Sequence, residues 1–307
     1  MTPLAQARPA PALLTDLGGA QPTYRGALAG ELLKLRRNRP TWVMTGLGVL
    51  FLGFMMLLYA TEGEYQQYFS RDPLVGFYDM LHPLQLFLAG GGGVALLLSG
   101  SRLFGMEFEL GTLRVLLGRG TGRQQLLAAK LSALTVYALV LLVGFTVLAA
   151  IGAVLVVEHQ VGSLAPLEGL PGSAWANLGG AVAACAISEF SCALLAIAMP
   201  ALLRSVTGGM LLAVVFFPID NGLAVALTSL GRLTHDHIWD SLTAFLYGPS
   251  LNRLPTVIQA HHVGVLNTLP TPAVTTSLPE TCAVIGAWWL LLVLLAATSL
   301  ARHDVLS

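Results

Sequence analysis

Charged residues are scarce in this chain, and their scarcity indicates its class. Only 10% of the 307 residues are charged, whereas 55% are hydrophobic. A soluble domain carries roughly 25% charged residues. A chain so poor in charge is predicted to expose most of its surface to lipid. The formal net charge is zero, so the total charge does not indicate a nucleic-acid partner.

Cysteine is also scarce, with three residues that form no short-spaced pair: Cys185, Cys192 and Cys282. Disulfide frameworks and zinc sites need paired or closely spaced cysteines. We therefore predict neither, and we expect these residues to be small members of apolar cores.

The phosphate-binding sequence Gly-x-x-x-x-Gly-Lys-Ser/Thr is absent. The glycine-rich stretch 118–123 is not followed by Lys-Ser/Thr. We therefore predict that the chain is not itself an ATPase.

The first residues lack the apolar core of a signal peptide and are rich in Ala, Pro and Gly. We expect 1–23 to be a flexible cytoplasmic tail and 24–307 to form one membrane domain. The missing leader and the Ala/Leu/Gly-rich composition favour a bacterial inner membrane.

Six apolar runs are long enough to cross a bilayer, which takes about 20 apolar residues. We therefore predict an all-α integral membrane protein with six transmembrane helices. Spans one to six are predicted at 41–60, 83–103, 131–157, 174–203, 206–230 and 281–300.

The basic residues predict the orientation of these spans. Of the 16 Lys and Arg residues, 13 lie before span one, at or after the end of span two, after span four or after span six. Cytoplasmic loops carry an excess of Lys and Arg. The pattern therefore predicts that both chain ends lie in the cytoplasm.

Residues 24–40 have the pattern of an amphipathic helix. Leu28, Leu32 and Leu35 recur at helical spacing, and Pro40 is expected to break the helix. Such a helix can lie in the membrane interface, although an ordinary basic flank is the alternative. The predicted membrane-interface residues are Lys34, Arg36, Arg37, Arg39 and Trp42.

The long segment 231–279 lies between spans five and six, outside the cell in this orientation. Its apolar residues have helical spacing. We predict one or two helices that lie on or dip into the outer leaflet, and a small folded cap is the alternative. His235-Asp236-His237 could offer metal ligands, but such patterns are common by chance, and we predict no metal site.

The segment 104–130 between spans two and three is the most informative. Thr112 is a plausible N-cap, Leu113 begins an apolar patch, and Gly118 is a natural helix end. A short, partly apolar helix among arginines is an unusual feature to expose to water. It is predicted to be a docking surface for a partner.

The sequence Glu-Phe-Glu-Leu-Gly-Thr-Leu-Arg-Val-Leu-Leu-Gly-Arg-Gly-Thr-Gly-Arg at 107–123 resembles the cytoplasmic segment of ABC type-2 exporter permeases. The basic stretch before span one, the six-span layout and the long segment before span six are similar to that family too. The resemblance implies that 24–307 is a permease domain and that a short coupling helix between spans two and three fits a cleft in an ATPase.

The resemblance also implies partners. Two permeases, identical or paralogous, would form a dimer in membrane lipid, with ABC ATPase subunits that bind ATP and Mg; this chain would hold no cofactor. Export would follow alternating access, past spans one, two and five. The implied ATPase-coupling residues are Glu107, Glu109, Gly111, Thr112, Leu113, Arg114, Leu117, Arg119 and Arg123.

Two acidic residues, Glu189 and Asp220, lie inside predicted spans. An ionisable group at the bilayer centre costs about 2.5–3.5 kcal/mol on insertion scales. Either residue could mark a translocation path or gate, or could be a hydrogen-bonded site between helices. We expect Asp220 to lie at a helix break, because Pro218 and Gly222 flank it.

A run of four glycines, Gly90, Gly91, Gly92 and Gly93, lies in span two. Glycine allows close helix packing or local unwinding. Close packing, for instance across a dimer, is the favoured role, and a flexible gate is the alternative.

Two rival functions remain. An ion- or proton-coupled secondary transporter would use Glu189 and Asp220 and would need no ATPase. A membrane-embedded enzyme would need a converging catalytic set, which the sequence does not offer.

Overall fold

The computed structural model describes residues 23–63, 67, 71–118, 120–259 and 269–301, without the side chains of His82 and Arg114. Residues 1–22 of the predicted tail lie outside the described residues. The same is true of four residues named in the predictions or close to them: Arg119, His261, His262 and Arg302. Regular structure in the described ranges is helical, with no strand.

Within the described ranges, six helices are long and apolar enough to cross a membrane, as the sequence predicted. Their bounds, which define spans one to six from here on, are Arg39–Thr61, Pro73–Glu109, Arg123–Val161, Gly172–Leu203, Val206–Thr234 and Leu278–Ala301. Spans two and four form the interior, with about two thirds of their most apolar windows buried, while spans one and five are about one sixth buried.

Span two begins ten residues before its predicted start because Pro83 lies inside the helix instead of opening it. The helix then passes through a π-helical stretch, Phe87–Gly92, before it continues as Gly93–Glu109. Proline removes one backbone donor, and π-bulges are among the few causes of irregularity within a helix.

The N-terminal helix spans Tyr24–Arg37 and is capped by Thr23, whose Oγ1 accepts from the Gly26 N–H at 3.2 Å. Its Leu35 is buried, and Leu28 and Leu32 pack against the core.

The break after this helix falls at Asn38, not at the predicted Pro40. Pro40 lies instead in the first turn of span one, where its missing N–H has no intrahelical partner to lose. The Trp42 Nε1–H donates to the Arg36 carbonyl at 2.6 Å and thereby ties the start of span one to the N-terminal helix.

Between spans two and three, Thr112–Gly118 forms a short linker helix, as predicted. The linker helix, the N-terminal helix, the turn between spans four and five and the end of span six meet at one end of the bundle. Glu109 contacts Val206 there, and Arg123 contacts the Ala301 carbonyl. We call this the linker end.

Between spans five and six the chain forms the helix Ile238–Leu242, a 3₁₀ turn Thr243–Phe245 and a returning helix Tyr247–Ile258. The returning helix packs against spans four, five and six. Its Tyr247 is fully buried and stacks on Trp288 with ring centroids 5.3 Å apart. The described part of this segment is thus packed on the bundle and does not form a separate cap.

Candidate functional site

The linker helix is presented between two glycines in left-handed backbone conformations. Gly111 has φ of 65° and Gly120 has φ of 86°, a region that other residues rarely adopt. Leu113 is 2% exposed and anchors the helix on the core, whereas Leu110 and Val115 are 66% and 54% exposed. The linker helix is therefore held from beneath and offers an apolar surface outward.

The predicted coupling residues divide between this outer surface and its support. Gly111 and Thr112 are exposed, while Leu117 is partly buried. Glu107, in the last turn of span two, is 5% exposed, and Leu113 of the linker helix is also buried.

A buried cluster of four ionisable side chains lies near the linker helix, and two of its members, Lys34 and Glu107, line the same groove as Val115. Lys130 is 1% exposed, and its Nζ donates to Glu31 Oε2 at 3.0 Å, to Glu107 Oε1 at 2.8 Å and to the Leu103 carbonyl at 3.1 Å. Lys34 Nζ lies 2.7 Å from both Glu31 Oε1 and Glu107 Oε1. The cluster contains two cations and two anions, so it is neutral as a whole.

This cluster joins the N-terminal helix, span two and span three at one point. All three Lys130 protons are donated, which satisfies the requirement for keeping a buried ammonium charged. Both lysines of the chain lie in it. Sequence reasoning missed Glu31 and assigned Lys130 to a basic loop, although a lysine leading into the apolar run of span three was a detectable signal.

Lys34 was predicted to face the membrane interface, and its side chain is 46% exposed. Burial lowers the pKa of Lys34, but hydrogen bonds and attraction from Glu107 and Glu31 outweigh burial and raise it above the ordinary 10.5. Lys34 therefore supports the cluster from its solvent side.

We expect Lys34→Met to lower the free energy of unfolding by at most about 1 kcal/mol, since half-exposed ion pairs contribute little. Because folding raises the pKa of Lys34, the charged Lys34 side chain stabilises the folded state fully below pH 10.5. This contribution is lost as the pH rises through the pKa of Lys34 in the folded chain. The gap between the unaltered chain and the variant should therefore shrink above about pH 10.5 in SDS-unfolding titrations. A gap that stays constant from pH 8 to 12 would contradict this.

Glu109, predicted as a coupling contact, caps the start of span five. Its Oε1 accepts from the Val206 N–H at 2.8 Å and lies 3.4 Å from Ser205 Oγ. A Cβ at Gly105 would lie 2.7 Å from the Val206 Cα. The end of span two, immediately before the linker helix, is therefore in direct contact with span five.

A groove of about 590 Å³ opens beside the linker helix. It is lined by the basic residues Lys34, Arg37 and Arg102 and by apolar residues that include Leu110 and Val115. The other predicted interface residues Arg36, Arg39 and Trp42 are exposed. The linker end therefore offers a basic, partly apolar surface.

Asp220 does not lie at a helix break, because span five is continuous through Pro218 and Gly222. Its Oδ2 accepts from the Gly248 N–H at 2.5 Å, in the first turn of the returning helix. The free N–H groups of a helix start favour a carboxylate. Asp220 therefore anchors the returning helix, a role that sequence spacing does not show.

Glu189 lies in span four, 1% exposed, and neither carboxyl oxygen has a hydrogen-bond partner among the described residues. A Cβ at Gly92 would lie 2.7 Å from Glu189 Oε1, and a Cβ at Gly93 would lie 2.9 Å from Cys192 Sγ. Two glycines of the run therefore pack closely on span four within one chain, and Gly91 packs under Phe87.

A cavity of about 470 Å³ lies beside this contact, between spans two, four and five and the returning helix. Gly90 and Gly93 line it, together with Cys185 and Cys192. Within the part of the chain that the structure describes, no group of three or more His, Cys, Asp or Glu is arranged to hold a metal, and the no-metal expectation stays a prediction.

Fold and site together define a multi-pass, all-helical membrane protein with an exposed linker helix supported by a buried ion cluster. Residues 27–219 match the family model described as "ABC-2 family transporter protein", and the chain belongs to that family. A search of curated proteins found no similar sequence. The family is a membrane component of ABC transporters, generally not itself catalytic, and it implies association with an ABC ATPase subunit.

Proposed function

We propose that this chain is the permease subunit of an ATP-driven ABC exporter. Separate ATPase subunits would bind ATP and Mg, and the chain would move an unidentified substrate by alternating access. The observation that carries the proposal is the exposed linker helix with the preceding Leu110. Leu110 and Val115 are exposed, and the adjacent end of span two is joined to the N-terminal helix and span three by the buried ion cluster.

The proposed orientation places the linker end in the cytoplasm, where a cytoplasmic ATPase can reach it. The excess of basic residues at this end supports it. The N-terminal helix would then lie in the cytoplasmic interface, and the returning helix would dip into the outer leaflet. A bacterial inner membrane and a dimer with a second permease complete the proposal.

Coupling would follow the contacts beneath the linker helix. A push on the linker helix moves the end of span two, because only Gly111 and Leu110 separate them. Span two transmits the movement to the N-terminal helix and span three through Glu107, and to span five through Glu109. Packed elements of this kind transmit force without large deformation.

The proposal is tested by co-purifying the ATPase from native membranes with the variant Leu110→Asp, Val115→Asp. Both side chains are exposed, so the variant should fold, and two carboxylates on the docking surface should lower recovery of an ATP-binding subunit at least ten-fold. Leu164→Asp is the matched control, because Leu164 is also exposed but lies beyond the far end of span three.

Recovery of an ATP-binding subunit with the control and its loss with the variant would support the coupling role. If both proteins recover the subunit equally, the linker helix is not the docking surface.

A secondary transporter is the second candidate, favoured by the unpartnered Glu189 carboxyl. Asp220, its predicted partner in ion coupling, is instead engaged by the Gly248 N–H. If no ATP-binding subunit accompanies the unaltered chain, ion coupling becomes the leading candidate.

A further inference from the structure

Among the described residues, those that line the cavity between spans two, four and five and the returning helix include no charged side chain. Most of its wall is aliphatic or aromatic, and its volume of about 470 Å³ lies in the range of small-molecule sites. The polar side chains in the wall are Gln85, Ser188, Asn221, Asn252 and Gln259.

Gln259 supplies a specific hydrogen-bond donor. It is 6% exposed, lines the cavity, and its buried Nε2 has no hydrogen-bond partner among the described residues. A buried donor without a partner costs about 1–3 kcal/mol. The Nε2 is covered as it stands, so the amide must turn toward the cavity, where a ligand oxygen that accepts from it would remove this cost.

The nearby acidic groups do not offer a charge to the cavity. Asp220 is engaged by the Gly248 N–H, and Glu189 lies against Gly92, outside the set of lining residues. A charged ligand would lose its hydration without gaining a counter-ion, which disfavours it strongly. The described part of the wall therefore places no counter-ion in contact with a charged ligand.

We infer that this cavity binds a neutral, mostly apolar molecule that carries a hydrogen-bond-accepting oxygen directed at Gln259. The inference rests on the proposed exporter function, and it names the substrate class of that exporter. It places the site within one chain, so a second permease copy is not needed to complete it.

Gly90 offers a way to block the site. It lines the cavity, and a Cβ placed on it meets no atom within 4 Å. The side chain of Gly90→Trp therefore meets no obstacle at its Cβ, and it should occupy part of the cavity that Gly90 lines. Gln259→Leu removes the donor while nearly keeping the volume, and Gln124→Leu is its control, because Gln124 is exposed near the start of span three.

The probe is Nile red, a neutral dye with a carbonyl oxygen, titrated into the purified chain in lipid nanodiscs and compared with the cationic dye rhodamine 6G. We expect saturable Nile red binding to the unaltered chain and to Gln124→Leu. Binding should weaken about three- to ten-fold in Gln259→Leu, which is the loss of one hydrogen bond, and at least ten-fold in Gly90→Trp. Rhodamine 6G should show no saturable binding.

Nile red binding no greater than in empty nanodiscs, or unchanged in Gly90→Trp, would overturn the inference. Unchanged binding in Gln259→Leu would overturn the hydrogen bond, and tighter binding of rhodamine 6G would replace the neutral ligand by a cation. The assay needs no ATPase, so its failure leaves the coupling proposal intact. Nile red binding without ATPase recovery would instead point to a transporter of another class.

Discussion

Lys130→Met is expected to lower the free energy of unfolding by about 3–5 kcal/mol, the range for removing one partner of a buried ion pair. The change leaves Glu31 and Glu107 buried, with Lys34 as their remaining cation. It also removes a donor to the Leu103 carbonyl. Unfolding by SDS titration in detergent, followed by circular dichroism, measures the effect.

Two comparison variants separate charge from packing. Lys130→Met with Glu107→Gln restores neutrality to the cluster and should recover a large part of the lost stability. Arg102→Met removes an exposed cation near the same site and should change stability by less than about 0.5 kcal/mol. A double variant no more stable than Lys130→Met, or a Lys130→Met no worse than Arg102→Met, would show that the cluster does not hold the three helices together.

The same cluster has a functional consequence. In the proposed coupling route Glu107 carries movement but is not part of the docking surface, so the neutral double variant should fold and still bind the ATPase. Its ATPase recovery is therefore expected to match that of the unaltered chain, because the exposed surface of Leu110 and Val115 is unchanged.

Gly209→Val is expected to destabilise the chain by about 3 kcal/mol, at the upper end of the usual range for overpacking. A Cβ at Gly209 would lie 2.4 Å from the Pro200 Cα and 2.7 Å from the Pro200 N. These are backbone atoms of span four, so they cannot move aside as the end of a side chain could. The contact holds spans four and five together next to their turn.

Gly222→Val is the matched control on the same helix, because a Cβ there meets nothing within 4 Å. It should have a small effect on SDS unfolding, and both variants share the same intrinsic change in helix propensity. Equal losses in the two variants would show that propensity, and not the contact with Pro200, accounts for the effect.

The number of spans was predictable because the bilayer sets a minimum apolar length. The predicted starts of spans four and five, at 174 and 206, lie within two residues of the observed helices. Span two was mispredicted by ten residues at its start, since Pro83 is a strong local signal for a helix boundary and tertiary packing overrides it. Span three extends to Arg123 and Val161, because polar residues beyond the lipid continue a helix that hydropathy does not detect.

The candidate site was predicted in part. Thr112, predicted as the N-cap, is instead the first residue of the linker helix, and Gly118 is its last, so the local signals gave the bounds to within about one residue. Which residues of the linker helix are buried was not predictable: Leu113 is buried, while Val115 is exposed. Which face a seven-residue helix buries depends on the helices that lie beneath it.

The sequence alone determined the membrane class, six spans, the linker helix and the family resemblance, because apolar length, capping residues and motifs are local along the chain. Only the tertiary structure decided the partners of the buried polar groups. Glu31 and Lys130 are 99 residues apart, and Asp220 and Gly248 are 28 apart. Such pairs form because a buried charge must find a partner wherever packing brings one, and no spacing rule encodes that distance.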